Sequence, residues 1–207
     1  MAFGTAGYTA GLAIVKMEHN GLHPAGGPVI VDGATGGVGS IAIAALSKLG
    51  YHVVALTGKE HESDWLKGIG AGEIRFRKEL DLTKIKPLDK ATWQGAVDNL
   101  GGEILAWMAS TMKFNGVIAS IGLAAGFGLN TTVMPFILRG VSLLGINSTD
   151  ATGPELERKV WERLASDMKP ARLKEMAKTI PFGDLPKVFD DFINAKVTGR
   201  VVVDLNP

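Results

Sequence analysis

Pro28-Val29-Ile30-Val31-Asp32-Gly33-Ala34-Thr35-Gly36-Gly37-Val38-Gly39-Ser40-Ile41-Ala42-Ile43-Ala44-Ala45-Leu46 is the stretch on which the fold turns. Its first five residues make a short apolar run, the pattern of a strand buried on both faces of a parallel sheet. A glycine-rich segment follows, and then apolar residues at helical spacing that run out at Lys48, Leu49 and Gly50. Strand, glycine turn and helix in this order suit a dinucleotide, because backbone N–H groups at a helix N-terminus can meet a pyrophosphate. Ala34 stands where the first Gly of GxGxxG usually is. Gly36 lets phosphates come close, and Gly39 lets the helix lie near the strand. Glycines alone are a weak signal; the flanking strand and helix strengthen it. The other reading is a plain strand–helix turn.

Working outward, residues 5–20 read as a helix, with Thr5 as its cap and Gly21 ending it in the left-handed conformation. Residues 22–27 are a Pro/Gly turn. Downstream, strands are expected at 51–56, 73–76, 95–100, 116–122 and 141–146. Helices are expected from Ser63, as a cap, through Leu66 to Ile69, and at 103–114 and 135–139. Strands alternating with helices at this spacing give an α/β fold, a Rossmann-type doubly wound sheet of six parallel strands. The last third differs. Residues 154–168 form a charged amphipathic helix with Leu156, Val160, Trp161 and Leu164 on one side. Residues 185–195 read as another helix and 198–205 as a strand. That strand has no place in the six-stranded sheet and looks made to pair with something else.

Composition narrows the function. Gly makes up 27 of the 207 residues, roughly 13% against about 7% on average. The net charge of +1 argues against nucleic acid as a partner. There is no Cys, which removes disulfides, thiolate metal sites and a Cys nucleophile. The four histidines (His19, His23, His52, His61) lack metal-ligand spacing, so no metal is expected. Met1-Ala2-Phe3-Gly4 does not show the basic-then-apolar pattern of a signal peptide. Residues 114–138 carry no charge, yet their glycines, Asn130 and Pro135 read better as a strand, a loop and a new element than as a membrane span of about 20 apolar residues. A cytoplasmic location is the expectation. Trp65, Trp93, Trp107 and Trp161 read as packing residues.

The end of the second strand bears on the nucleotide. An NAD enzyme would carry Asp or Glu there for the ribose 2′-OH. This chain has Leu56-Thr57-Gly58-Lys59. Thr57 can donate to a 2′-phosphate and Lys59 can neutralise it, which favours NADP(H). Glu60 dissents, and Lys59 as a solvated loop charge is the plain alternative. A P-loop is excluded because no Lys follows the glycines. A Tyr with Lys four residues on is also missing, since Leu12 and Ala55 follow Tyr8 and Tyr51 at that spacing. No GxSxG motif is present. Asp98 at the fourth strand reads as structural.

Four segments in order carry a resemblance: residues 4–10 (GTAGYTA), 33–39 (GATGGVG), 131–139 (TTVMPFILR) and 198–200 (TGR). Together they resemble the zinc-independent quinone oxidoreductase branch of the medium-chain dehydrogenase/reductase superfamily, nearest its NADPH-dependent acrylyl-CoA reductase group. The resemblance implies NADP(H) as cofactor, with Thr35, Gly36, Gly37 and Val38 at the pyrophosphate. Thr57, Gly58 and Lys59 would sit at the 2′-phosphate, and Arg77 near the adenosine end. Leu123, Ile137 and Ser148 would lie along the nicotinamide side, and Arg200 at the cofactor rim. Without the resemblance, Leu123 and Ile137 read as core. Ala195 matches a polar contact in relatives and supports no inference. No catalytic residue is identified.

The resemblance also implies two domains. Residues 1–146 would be the cofactor domain. Residues 147–207 would belong to a GroES-like catalytic domain whose N-terminal part, roughly 100 or more residues, is not in this chain. Three readings stay open: hydride transfer to an activated C=C bond such as that of acrylyl-CoA, NADPH:quinone reduction, and a nucleotide-binding module without turnover. The resemblance also implies a homodimer along the edge strand 141–146, to which an exposed edge with Leu143 and Leu144 is suited; the alternative is that both leucines face the monomer's own core.

Overall fold

The computed structural model describes residues 1–149 and 153–206. Residues 150–152 of the expected 147–207 segment, and Pro207, lie outside the described residues. Strand β1 (Val29–Val31) is buried along its whole length. It pairs in parallel with β2 (Val53–Thr57) on one side and β4 (Trp93–Asp98) on the other. Beyond β2 lies β3 (Glu73–Phe76), and beyond β4 lie β5 (Met112–Ser120) and β6 (Ser142–Gly145). The order is β3-β2-β1-β4-β5-β6. This is the six-stranded parallel sheet expected. The chain reverses its direction of growth at β1, and the crevice beyond the carboxyl ends of β1 and β4 is where such sheets bind ligands.

Period-2 alternation sorts β1 between two cores. Val29 and Val31 pack with α1 (Gly4–His19) and α2 (Gly37–Lys48), while Ile30 packs with α4 (Gly102–Thr111) on the other face. Leu12, Ile14, Ile41, Ile43 and Met108 are fully buried, each stabilising the fold by about 1.5–3 kcal/mol over exposure. Helix α1 is buried on most sides because α6 (Pro154–Ala165) covers it too. Tyr8 and Trp161 lie with ring centroids 5.4 Å apart, and Arg163 pairs with Glu18 across that contact.

Several local expectations need correction. Thr5 does not cap α1: the helix begins at Gly4 after Phe3, and the Thr5 carbonyl accepts from the Thr9 hydroxyl at 2.7 Å. Ser63 does not cap α3 (Ser63–Gly68); its hydroxyl donates back to the Glu60 carbonyl in the preceding 3-10 turn. The helix expected over 103–114 stops at Thr111, because Met112 turns extended and joins Trp93 across β5 and β4. The amphipathic helix stops at Ala165 rather than Met168. Residues 182–188 form 3-10 turns around Pro186, whose missing N–H breaks an α-helix, and only α7 (Phe189–Ile193) is α-helical. The closing strand β8 (Arg200–Asp204) does find a partner, β7 (Ala177–Pro181), in a separate parallel pair. The uncharged 114–138 stretch splits among β5, a loop and α5 (Met134–Arg139). No helix among the described residues is long and apolar enough to cross a membrane.

Candidate functional site

The turn after β1 is shaped by backbone sterics. Gly33 has φ +52°, and a Cβ on Gly39 would stand 2.5 Å from the Gly33 carbonyl oxygen. Only glycine at 39 lets α2 start this close to the strand. Gly36 N–H donates to the same carbonyl at 2.8 Å, closing the turn. Helix α2 then begins with no side-chain cap and no acidic residue in its first turn. Its first N–H groups are therefore free for an anion, and the helix dipole adds partial positive charge there.

A cavity of about 510 Å³ opens over this turn. Thr35, Gly36 and Gly37 line one wall, Thr57, Gly58 and Lys59 a second, and Asn99 and Leu100 from the end of β4 a third. Arg77 lines it as well, and with Gly58 it joins a neighbouring cavity of about 880 Å³. Open space surrounds the Cα of Gly58, where a Cβ would meet nothing within 4 Å.

The closing segment completes the site. Gly199 N–H donates to the Thr35 carbonyl at 2.8 Å. Arg200 lies against the start of α2, since a Cβ on Gly37 would be 2.9 Å from its Nη1. The Lys59 ammonium donates to the Val197 carbonyl at 2.7 Å and lies 3.4 Å from the Thr198 hydroxyl. That hydroxyl donates to Glu62 at 2.8 Å. Burial pulls the Lys59 pKa down, and nearby Glu62 opposes the shift. Thr57 is fixed too, its hydroxyl oxygen accepting from Lys59 N–H at 2.9 Å.

The structure thus brings Thr35, Gly36, Gly37, Thr57, Gly58, Lys59 and Arg77 to one cavity, with Arg200 beside Gly37. Val38 stands in the first turn of α2 at the same helix start, whereas Leu123, Ile137 and Ser148 do not line this cavity. Val38 packs its side chain into the core beside α1. Leu123 and Ile137 are 67% and 71% exposed, so neither is core, and neither lines this cavity. The Ser148 hydroxyl lies 2.7 Å from that of Thr9, tying the chain after β6 to α1. Sequence reasoning missed Asn99, Leu100, Phe192 and Val197 as lining residues and drew nothing from Ala195, which also lines the cavity. For Asn99 a signal existed: it follows β4 at the switch in strand order. Phe192, Ala195 and Val197 arrive from far along the chain.

A family model described as zinc-binding dehydrogenase matches residues 37–166. The chain belongs to that family. It is 46% identical over 207 residues to acrylyl-CoA reductase AcuI of Ruegeria pomeroyi, covering all of this chain and 62% of that protein. It is 44% identical to the putative quinone oxidoreductase YhfP of Bacillus subtilis, covering 99% of this chain and 62% of that one. The yhdH oxidoreductase of Salmonella enterica, solved in complex with NADP, superposes with a TM-score of 0.95 at 43% identity, covering all of this chain and 63% of that one. The B. subtilis yhfP structure, solved with NAD bound, also gives 0.95. The chain spans about three-fifths of the length of these relatives. The family match agrees with the medium-chain dehydrogenase/reductase membership expected from the four segments, and the two relatives carry the names acrylyl-CoA reductase and putative quinone oxidoreductase. The zinc in the family's description meets no ligand set among the described residues, which hold no cysteine and no cluster of three or more His, Asp or Glu fit for a metal.

Proposed function

We propose that this chain is the NADP(H)-binding part of a reductase that delivers hydride to an activated C=C bond, such as that of acrylyl-CoA. The observation that carries the reading is an uncapped helix start opening on a cavity lined by Lys59 and Arg77, with Arg200 against that same helix start. An uncapped helix N-terminus suits a pyrophosphate. A lysine and a threonine at the end of β2 suit a 2′-phosphate, where a carboxylate would repel it. Lysine keeps the charge an arginine would bring but not its planar fork. The bound cofactor supplies the hydride; these residues bind it, orient it and exclude water from its phosphates.

A second reading, NADPH:quinone reduction, is favoured by the 44% identity to a putative quinone oxidoreductase. We also read residues 1–146 as the cofactor domain and 147–207 as part of a GroES-like domain. The further part of such a domain would supply the cleft's second wall and keep water from hydride transfer, so residues 1–207 by themselves are expected to bind without turnover. Leu144 packs toward one core and Leu143 toward the other, which leaves the main-chain edge of β6 for pairing in a homodimer. Sedimentation would then show a dimer, and a clean monomer counts against it. We read the protein as cytoplasmic, and cell fractionation would check it.

The deciding experiment titrates the chain with NADPH and with NADH, following cofactor fluorescence or heat. NADPH should bind at least about tenfold more tightly, as expected for one charge-assisted contact to the 2′-phosphate. Binding of neither, including after the remaining length of the relatives is restored, overturns the reading. Acrylyl-CoA and quinone assays on that longer protein separate the two acceptors.

A further inference from the structure

Beneath the cavity, two carboxyls end neighbouring strands. Val31 pairs with Val97, so the next residues, Asp32 and Asp98, stand side by side. Both are fully buried, and among the described residues no ion pair reaches either one. The donors around them are unequally shared. Asp98 Oδ1 accepts from Gly101 N–H at 2.8 Å, and its Oδ2 accepts from the Ser120 hydroxyl at 3.1 Å. Asp32 Oδ1 accepts from Asn99 N–H at 2.5 Å, while Asp32 Oδ2 is buried with no donor among the described residues. A buried carboxylate oxygen without a donor is costly, and two adjacent buried carboxylates do not both ionise. One proton on Asp32 Oδ2 resolves both difficulties, because it turns that oxygen into a donor toward Asp98.

The link to the cavity is Asn99. Its backbone N–H holds Asp32 Oδ1, and its carboxamide donates to the Asp32 carbonyl at 2.8 Å. Its Cβ packs against Gly33, where an added Cβ would lie 3.1 Å away. Asn99 and Gly33 both line the cavity. We propose that Asp32, as the neutral acid of a one-proton pair with Asp98, is a positioning residue for the dinucleotide, holding Asn99 and the Gly33 turn in place. The role rests on the reading of this cavity as the NADP(H) site. Burial first, and then the charge of Asp98, lift Asp32 well above the usual carboxylate range. Burial lifts Asp98 too, and its donors from Gly101 and Ser120 oppose the rise.

The facing groups are few. Asp98 faces Asp32 from β4, Ser120 reaches the pair from β5, and Gly101 and Asn99 reach it from the loop after β4. Lys59 and Arg77 line the cavity, Arg200 lies against the start of α2, and no hydrogen bond among the described residues joins any of them to Asp32. The proton is therefore held below the raised pKa of Asp32 and lost as pH climbs through it.

Asp32→Asn tests this. Its carboxamide accepts from Asn99 and donates to Asp98 at every pH. In the wild-type chain at neutral pH, infrared spectra should show the carbonyl stretch of a buried carboxylic acid, and Asp32→Asn should lack it. Exchange of the Asn99 amide proton should accelerate in the wild type at the pH where that band disappears, and stay flat in the variant once the intrinsic pH dependence is removed. The wild-type Kd for NADPH should rise over the same range by up to about tenfold per pH unit, and not in Asp32→Asn. Asp32→Ala should bind weakly at all pH values. No acid band at neutral pH overturns the proposal, as does Asn99 exchange indifferent to its loss or a Kd profile unchanged in Asp32→Asn. An acid band with the expected exchange, but no NADPH binding with the remaining length of the relatives restored, would instead overturn the cofactor reading and leave the proton pair standing.

Discussion

The turn that opens α2 and the segment that closes the chain meet at one cavity, yet they are built in opposite ways. The turn is closed by its own backbone: Gly36 and Gly39 both lie close to the Gly33 carbonyl, and β1 and α2 are buried on both sides of it. The closing segment holds itself in place by reaching to distant partners, through Gly199 to Thr35 and through Val197 to Lys59. It also exposes large apolar side chains, with Phe182 at 62%, Phe192 at 52% and Ile193 at 81%. The first region is settled by local sterics and core burial. The second borrows its position from the first, so damage to the turn should spread to it while damage to its outer face should not spread back.

The largest expected effect comes from breaking the turn. Gly39→Val puts side-chain atoms on the Gly33 carbonyl and should cost about 3 kcal/mol or more, read as a lower urea midpoint, with NADPH binding lost. A variant of near wild-type stability would mean that the turn is less constrained than its geometry says. Lys59→Ala probes the junction between the two regions. It should weaken NADPH by roughly tenfold while leaving NADH nearly unchanged, and calorimetry with both cofactors gives the ratio. Equal losses would assign Lys59 to holding Val197 rather than to the 2′-phosphate. Arg163→Ala removes a half-buried partner of Glu18 between α6 and α1, and thermal melts should register about 1 kcal/mol of destabilisation. The smallest effect belongs to Ile193→Ser, within about 0.5 kcal/mol for this chain. The same change in a protein of the relatives' full length should cost more if a further domain covers that face, and an equal, negligible cost there would count against the domain assignment.

These regions also differ in how far they could be read beforehand. The Val29-Ile30-Val31 run, the glycines after it and the alternation that follows identified the sheet, because parallel strands buried on both faces leave a dense apolar signature. Boundaries slipped where tertiary pairing overrode helical preference, as at Met112, which β4 captured through Trp93. Strand β7 went unread: Ala177-Lys178-Thr179-Ile180-Pro181 is short and half-exposed and exists by virtue of β8. Thr57 and Lys59 were legible as chemistry, since residue type at the end of β2 bears on the nucleotide. Their company was not. Val197, which holds the Lys59 ammonium, is separated from it by 138 positions.

The sequence by itself determined the layered α/β fold, the place of the glycine turn and the kind of charge beside it, because those depend on steric size, apolar period and residue type over short spans. Tertiary structure alone decided that Arg200 lies against the start of α2, that Leu123 and Ile137 lie outside the cavity, and that Asp32 and Asp98 share a buried floor with no cation paired to them among the described residues. Each of those is a meeting of distant segments, and a carboxyl's protonation depends on what burial brings next to it rather than on its neighbours in the chain.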